Sequence, residues 1–194
     1  MTVKHLKETP SQTAGPYVHI GTVPAAAGLK VRTQERLHVS GLKEGERVVI
    51  EGVVRDGAGE LVRDAMLEIW QADAGGQFDA NGHAGWARAV SDFKSGLYRF
   101  ETIKPGKVAW RDGRMQAPHV TVYIFARGIN IHLHTRAYFE DEAAANAADP
   151  ILEQVPGEAM RQTLIARRDA KAKVPTYRFD IVLQGPDETV FFDL

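Results

Sequence analysis

From Arg47 onward the chain alternates short runs of β-branched and aromatic residues with turn signals. Glycine- and aspartate-rich turns occupy residues 56–59 and 73–76, and a Lys-Pro-Gly turn occupies residues 104–106. Short strands at this spacing are typical of two packed sheets. We therefore predict a mainly β fold, an antiparallel β-sandwich over residues 46–194. The predicted strands are residues 47–54, 65–70, 96–102, 119–125, 131–139 and 177–183.

Two segments between the predicted strands have a different composition. Residues 140–146 and 157–170 are richer in alanine, glutamate, arginine and leucine, which are good helix formers. We expect them to supply one or two short helices at the edge of the sandwich.

The first 45 residues lack the strand periodicity and contain Pro10, Pro16 and Pro24 with glycines between them. A long segment without regular structure is usually either docked or functional in a compact protein. We predict that residues 1–45 form an extended N-terminal arm that packs on a partner chain. The alternative is a loosely attached tail.

Charge and composition exclude several classes of function. The 24 lysines and arginines nearly balance the 25 aspartates and glutamates, which leaves a net charge of -1 and argues against a nucleic-acid or anionic-membrane partner. The absence of cysteine excludes disulfides, thiolate metal sites and cysteine nucleophiles. No apolar run resembles a signal peptide or a membrane span, so we expect a cytoplasmic protein.

Histidines are the candidate metal ligands. His132 and His134 lie two residues apart on a predicted strand, so both side chains point to one face and could bind a metal. The competing interpretation is a pair of packed or hydrogen-bonded histidines. His119 begins another strand without a second histidine, because Thr121 follows two residues later. An enzyme with its own metal at all three histidines stays open at this point.

Eight segments resemble the intradiol aromatic-ring dioxygenases. They are distributed from one end of the chain to the other, and the resemblance implies the β-sandwich of that family. The segments are TPSQTAGPYVH (9–19), EIWQADA (68–74), TIKPG (102–106), APH (117–119), FARGINIHLHTR (125–136), ANAADP (145–150), YRFDIVLQG (177–185) and ETVFFD (188–193).

The resemblance also implies that this chain lacks the iron site of the family. The metal-bearing members bind one ferric iron through two tyrosines and two histidines, and the matching positions here are Phe78, Val108, His119 and Thr121. Gln116 stands where the family has an arginine three residues before the first histidine. A single imidazole cannot hold Fe(III), which favours hard oxygen donors. The pattern implies the metal-free chain of an enzyme built from two homologous chains.

The implied activity is therefore shared between two chains. A homologous beta-type subunit would carry Fe(III), and the complex would cleave protocatechuate with O2 to 3-carboxy-cis,cis-muconate, a step of aromatic-compound catabolism in the β-ketoadipate pathway. The resemblance further implies a higher oligomer of alpha/beta pairs and an isolated chain that is inactive. A stand-alone, metal-free β-sandwich that serves as a binding or scaffold module is the alternative.

By the same resemblance, the arm supplies part of the substrate pocket of the partner. The implied pocket residues are Thr13, Gly15, Pro16, Tyr17 and Arg127. Glycine permits close backbone approach, proline restricts the chain, and tyrosine offers a flat ring with a polar end. The guanidinium of Arg127 is suited to a substrate carboxylate.

Overall fold

The computed structural model describes residues 13–15, 17–30, 44–79 and 85–193. The helices in this part are α1 (Tyr17–Thr22), α2 (Ala143–Ala147) and α3 (Glu158–Gln162), with 3₁₀ turns at Glu140–Glu142 and Leu152–Gln154. The strands are β1 (Arg47–Arg55), β2 (Met66–Trp70), β3 (Trp86–Val90), β4 (Leu97–Ile103), β5 (Val108–Ala109), β6 (Met115–Gln116), β7 (His119–Phe125), β8 (Leu133–Phe139), β9 (Ile165–Asp169), β10 (Thr176–Arg178) and β11 (Ile181–Val182).

The strands form two layers around one main core. One layer contains β4, β1, β10 and β9, and the other contains β9, β8, β7, β2 and β3. Strand β9 belongs to both layers, because it pairs with β10 on one side and with β8 on the other. Strands β5 and β6 form a separate short hairpin. The prediction of a mainly β sandwich is confirmed.

Three pairings in the described part are parallel rather than antiparallel. Strand β1 is parallel to β10 and β11, and β8 is parallel to β9. Parallel neighbours need a crossover connection. Residues 140–164 supply it between β8 and β9, and the short helices α2 and α3 lie within this crossover.

Strand β1 is buried along most of its length and has hydrogen-bonded neighbours on both edges. Its burial allows no side chain at Gly52, where an added Cβ would lie 1.9 Å from the carbonyl oxygen of Phe179. The hydroxyl of the buried Tyr98 donates to that same oxygen. Glycine at this position therefore lets β1 approach the connection between β10 and β11 closely.

The turns at residues 56–59 and 73–76 close through aspartate side chains. The carboxylate Oδ1 of Asp56 and that of Asp73 each accept hydrogen bonds from the backbone N–H groups two and four residues later. Gly59 and Gly76 have φ of +82° and +80°. A Cβ at Gly76 would lie 1.9 Å from the carbonyl oxygen of Lys107, so this turn packs directly on the β5 region.

Local propensity predicted some elements incorrectly. Residues 165–169, within the segment expected to be helical, form β9, because pairing with both β8 and β10 overrides the helix preference of Ala166 and its arginine neighbours. The sequence pattern does not predict strand β3. Its buried positions are the alanines Ala87 and Ala89, which carry a weak strand signal.

The described part of the arm is not wholly extended and lies against its own sandwich. Residues Tyr17–Thr22 form α1, none of whose residues is buried. The carbonyl oxygen of Thr22 accepts from Nη1 of Arg88 at 2.8 Å, and Val23 is buried. The ring of His19 lies 6.1 Å from that of Phe93. Contact with a partner chain stays a prediction.

Within the described ranges, no helix has the length and apolar character needed to cross a membrane. The cytoplasmic location stays a prediction from the sequence.

Candidate functional site

The arm and the sandwich line an open cavity of about 370 Å³, here called the arm cavity. The backbone N–H of Gly128 donates to Oγ1 of Thr13 at 2.8 Å, which holds the start of the arm beside the turn that follows β7. The residues lining the cavity include Gly15, His19, Ile20, Asp64, Phe93 and Arg127. The lining, which also includes Ala26 and Ala27, therefore combines four apolar side chains and one imidazole with one guanidinium and one carboxylate.

Strand register brings Asp64 and Arg127 together. Met66 at the start of β2 pairs with Phe125 at the end of β7, so the residue two before β2 meets the residue two after β7. Nε of Arg127 lies 2.5 Å from Oδ2 of Asp64. The arginine side chain keeps 74% of its surface exposed, whereas the aspartate keeps 17%.

The structure places the predicted pocket residues unequally. Gly15 and Arg127 line the arm cavity, and Thr13 is hydrogen-bonded to the backbone of Gly128, the residue after Arg127. Tyr17 lies on α1 and is 82% exposed. Pro16 lies outside the described residues.

The sequence analysis did not predict six further lining residues of this cavity, which are His19, Ile20, Ala26, Ala27, Asp64 and Phe93. Ile20 and Phe93 are exposed apolar residues, at 43% and 54%, and Asp64 is the partner of Arg127. Ile20 follows the Gly-Pro-Tyr motif by a helical turn, which was the available signal for it. Phe93 and Asp64 follow ordinary turn patterns, and no local motif distinguishes them.

The four positions that match the family's iron ligands also lie near one another, and we call them the ligand-position cluster. The ring of Phe78 stacks on Trp70, with ring centres 6.0 Å apart. Trp70 pairs with Thr121 across β2 and β7, and His119 lies two residues earlier on the same face of β7. Val108 belongs to the adjacent β5–β6 hairpin.

A guanidinium from β8 enters this cluster. Arg136 pairs with Thr121 in the β7–β8 register, and its Nη1 donates to Oε1 of Gln116 at 2.7 Å. Gln116 in turn pairs with Val108 in the β5–β6 hairpin. A guanidinium from the neighbouring strand therefore contacts the side chain at position 116.

His119 is buried as a neutral side chain. Its Nδ1 lies 2.8 Å from the carbonyl oxygen of Ala117 and must donate, because a carbonyl only accepts. Burial, followed by the nearby charge of Arg136, lowers the pKa of His119 to about 4. Its ring also packs 5.5 Å from the ring of Tyr138.

The ligand-position cluster does not fit an iron ion. It offers a phenyl ring, an isopropyl group, a hydroxyl and one imidazole, without the phenolate or carboxylate oxygens that Fe(III) prefers. Residues 13–15, 17–30, 44–79 and 85–193 contain no group of three or more histidine, aspartate or glutamate side chains arranged to hold a metal. The geometry therefore does not favour an enzyme with its own metal at His119, His132 and His134.

His132 and His134 contact a tyrosine instead. The ring of Tyr123 lies 5.2 Å from that of His132 and 5.0 Å from that of His134. Burial, and then the charge of Arg136, lowers the pKa of His134 to about 4. The pair thus belongs to an aromatic layer that β7 and β8 share with His132, the residue just before β8.

The chain combines a β-sandwich, an N-terminal arm and a set of ligand positions that has lost three of its four metal-binding side chains. A family model described as "Dioxygenase" matches residues 22–185. The chain belongs to this family, the intradiol ring-cleaving dioxygenases, and the resemblance seen in the sequence is confirmed.

Within the family, two relatives that match along nearly the whole chain are alpha chains of protocatechuate 3,4-dioxygenase. The alpha chain of Pseudomonas putida is 48% identical over 200 residues and covers 100% of both chains. That of Burkholderia cepacia is 46% identical, covering 97% of this chain and 98% of the relative. The beta chain of Burkholderia cepacia is 35% identical, over 75% of this chain and 67% of the relative.

A solved structure agrees on the fold. The dioxygenase domain of a carbohydrate-binding fusion protein from Streptomyces sp. SirexAA-E has a TM-score of 0.58 at 23% identity, covering 95% of this chain and 100% of that chain. Because the similarity to alpha chains extends over the full length, a stand-alone scaffold module is not favoured.

Proposed function

We propose that this chain is the iron-free alpha subunit of a protocatechuate 3,4-dioxygenase. A homologous beta subunit carries Fe(III), and the two chains together form the site for intradiol cleavage of protocatechuate by O2. The full-length similarity to two alpha chains supports this proposal, as does the separate, weaker similarity to a beta chain.

The two subunits divide the chemistry. The iron of a beta subunit would supply chelation of the two ring hydroxyls and activation of the ring toward O2, whereas the residues of this chain would hold and orient the substrate. Overall, the bond between the two hydroxylated carbons breaks, and both atoms of O2 are incorporated into the product, 3-carboxy-cis,cis-muconate. Three ligand positions are occupied by side chains unsuited to iron, which are Phe78, Val108 and Thr121. This supports a role for the chain other than holding the metal.

The alpha subunit binds and orients the substrate. The single observation that supports this role is that Gly15 and Arg127 line one cavity, with Thr13 hydrogen-bonded to the neighbouring Gly128. Arg127 offers a guanidinium to the substrate carboxylate, which it can bind through two parallel hydrogen bonds. Gly15 leaves room for the substrate to approach the backbone, since in the described part of the chain nothing beyond its own chain neighbours lies within 4 Å of a Cβ built there.

The arm packs on the beta subunit. Tyr17 and Ile20 expose 82% and 43% of their surfaces, although both are large apolar or aromatic side chains. Exposed side chains of this kind are typical of interfaces, where tyrosine in particular is enriched. Residues 1–45 therefore belong functionally to the shared site, and residues 46–194 form the sandwich.

Coexpression with a beta-type chain tests the proposal. The complex should cleave protocatechuate and absorb visible light through charge transfer from tyrosinate to Fe(III). The isolated chain should do neither. The assay combines steady-state kinetics, iron analysis and the visible spectrum on the isolated chain, the isolated beta chain and the complex. Ring cleavage by the isolated chain, or a complex no more active than the beta chain alone, would contradict the proposal.

A further inference from the structure

We propose that Asp64 is a positioning residue, which orients Arg127 toward the carboxylate of the aromatic substrate. The inference rests on the proposed function and deepens it, because it explains how a surface arginine acquires a fixed direction. The observation that carries it is the contact of 2.5 Å between Nε of Arg127 and Oδ2 of Asp64 at the wall of the arm cavity.

The two partners are unequally exposed. Asp64 keeps 17% of its side-chain surface exposed and Arg127 keeps 74%. An arginine on the surface ordinarily samples many rotamers, and a pair with two mobile partners orders neither of them. Here the partly buried carboxylate, in the turn before β2, supplies the fixed point for a guanidinium that extends outward.

The atoms used in the contact determine what stays available. Asp64 accepts from Nε, and in the described residues Nη1 and Nη2 of Arg127 have no hydrogen-bond partner. These two nitrogens form the end of the planar guanidinium that binds a carboxylate through two parallel hydrogen bonds. Asp64 therefore uses only the Nε edge of the guanidinium of Arg127, which leaves Nη1 and Nη2 for the substrate.

The surroundings suit an aromatic acid. Ile20 and Phe93 line the same cavity as Arg127, and the cavity volume of about 370 Å³ lies within the range of small-molecule sites. Phe93 is 54% exposed, so its ring is available for contact. Asp64 thus aims a carboxylate-binding group at a space with apolar walls.

The test is a double-mutant cycle on the coexpressed complex, with protocatechuate and catechol as substrates. Asp64→Ala should raise KM for protocatechuate about five- to twenty-fold and change kcat less than about twofold, with catechol kinetics unchanged. Asp64→Asn keeps an acceptor oxygen and should restore KM to within about threefold of the parent. In the Arg127→Ala background, Asp64→Ala should have no further effect.

The outcomes distinguish a wrong assignment of Arg127 from a wrong positioning role of Asp64. If Arg127→Ala leaves protocatechuate kinetics unchanged, the assignment of Arg127 in the proposed function is wrong, and the inference fails with it. If Arg127→Ala raises KM but Asp64→Ala does not, only the positioning role is wrong. An equal loss from Asp64→Ala with and without Arg127, or for both substrates, identifies a structural effect and overturns the inference. Iron content and assembly are measured for each variant.

Discussion

Replacing Tyr17 by alanine tests whether the arm acts on the site of another chain. The ring is 82% exposed, so its loss should change the free energy of unfolding of this chain by less than about 0.5 kcal/mol. In the complex, the ring is expected to cover part of the substrate pocket. Covering about 100 Å² of apolar surface at about 25 cal/mol per Å² gives about 2.5 kcal/mol, before the entropy of ordering the side chain is subtracted.

The expected loss in kcat/KM is therefore on the order of 1 to 3 kcal/mol, or about five- to 150-fold, and it should appear mainly in KM. The assay is steady-state kinetics of the coexpressed complex, with size-exclusion chromatography and iron analysis on the same samples. Tyr17→Phe keeps the ring and separates its contact from the hydroxyl. Met160→Ala truncates another exposed side chain, 45% exposed on α3, and should have no effect.

Two results would refute this reasoning. Unchanged kinetics for Tyr17→Ala in a fully assembled complex would show that the arm is structural only. Loss of iron in step with loss of activity would show that the arm supports the fold of the partner.

The isolated chain should bind only substoichiometric iron, because Phe78, Val108 and Thr121 replace three ligands; near-stoichiometric Fe(III) by metal analysis would contradict this. Asp149→Ala should lower the free energy of unfolding by on the order of 3 to 5 kcal/mol, since its buried carboxylate accepts from three backbone N–H groups; a loss under about 1 kcal/mol in urea titrations would refute that estimate. Burial lowers the pKa of His119 to about 4. The unfolded chain therefore binds more protons below about pH 6.5, and stability should fall from there to about pH 4, by up to about 1.4 kcal/mol per unit. Urea titrations of His119→Gln should show a weaker pH dependence, and an unchanged slope would contradict the assignment.

The sequence alone determined the class of fold and the family. Strand periodicity and the aspartate–glycine turns are local signals, since each depends on residues a few positions apart. They located most of β1, β2, β4, β7 and β8. The same local character explains the failures, because β9 and α1 depend on what each segment packs against.

The sequence also identified single residues through matched motifs. Three ligand positions carry residues that cannot bind iron, namely Phe78, Val108 and Thr121. Such replacements can be recognised from the sequence alone. A motif of consecutive residues likewise pointed to Gly15 and to Arg127, which the structure brings to one cavity.

Only the tertiary structure decided which residues from distant segments meet. Asp64 and Arg127 are 63 positions apart, and Gln116 and Arg136 are 20 apart. Neither pair has a sequence signature. Each pair forms because the register between two strands places their ends, and the turns beside them, next to each other. Register is set by packing across the whole sandwich, so the position of each guanidinium follows from the fold and not from its neighbours in sequence.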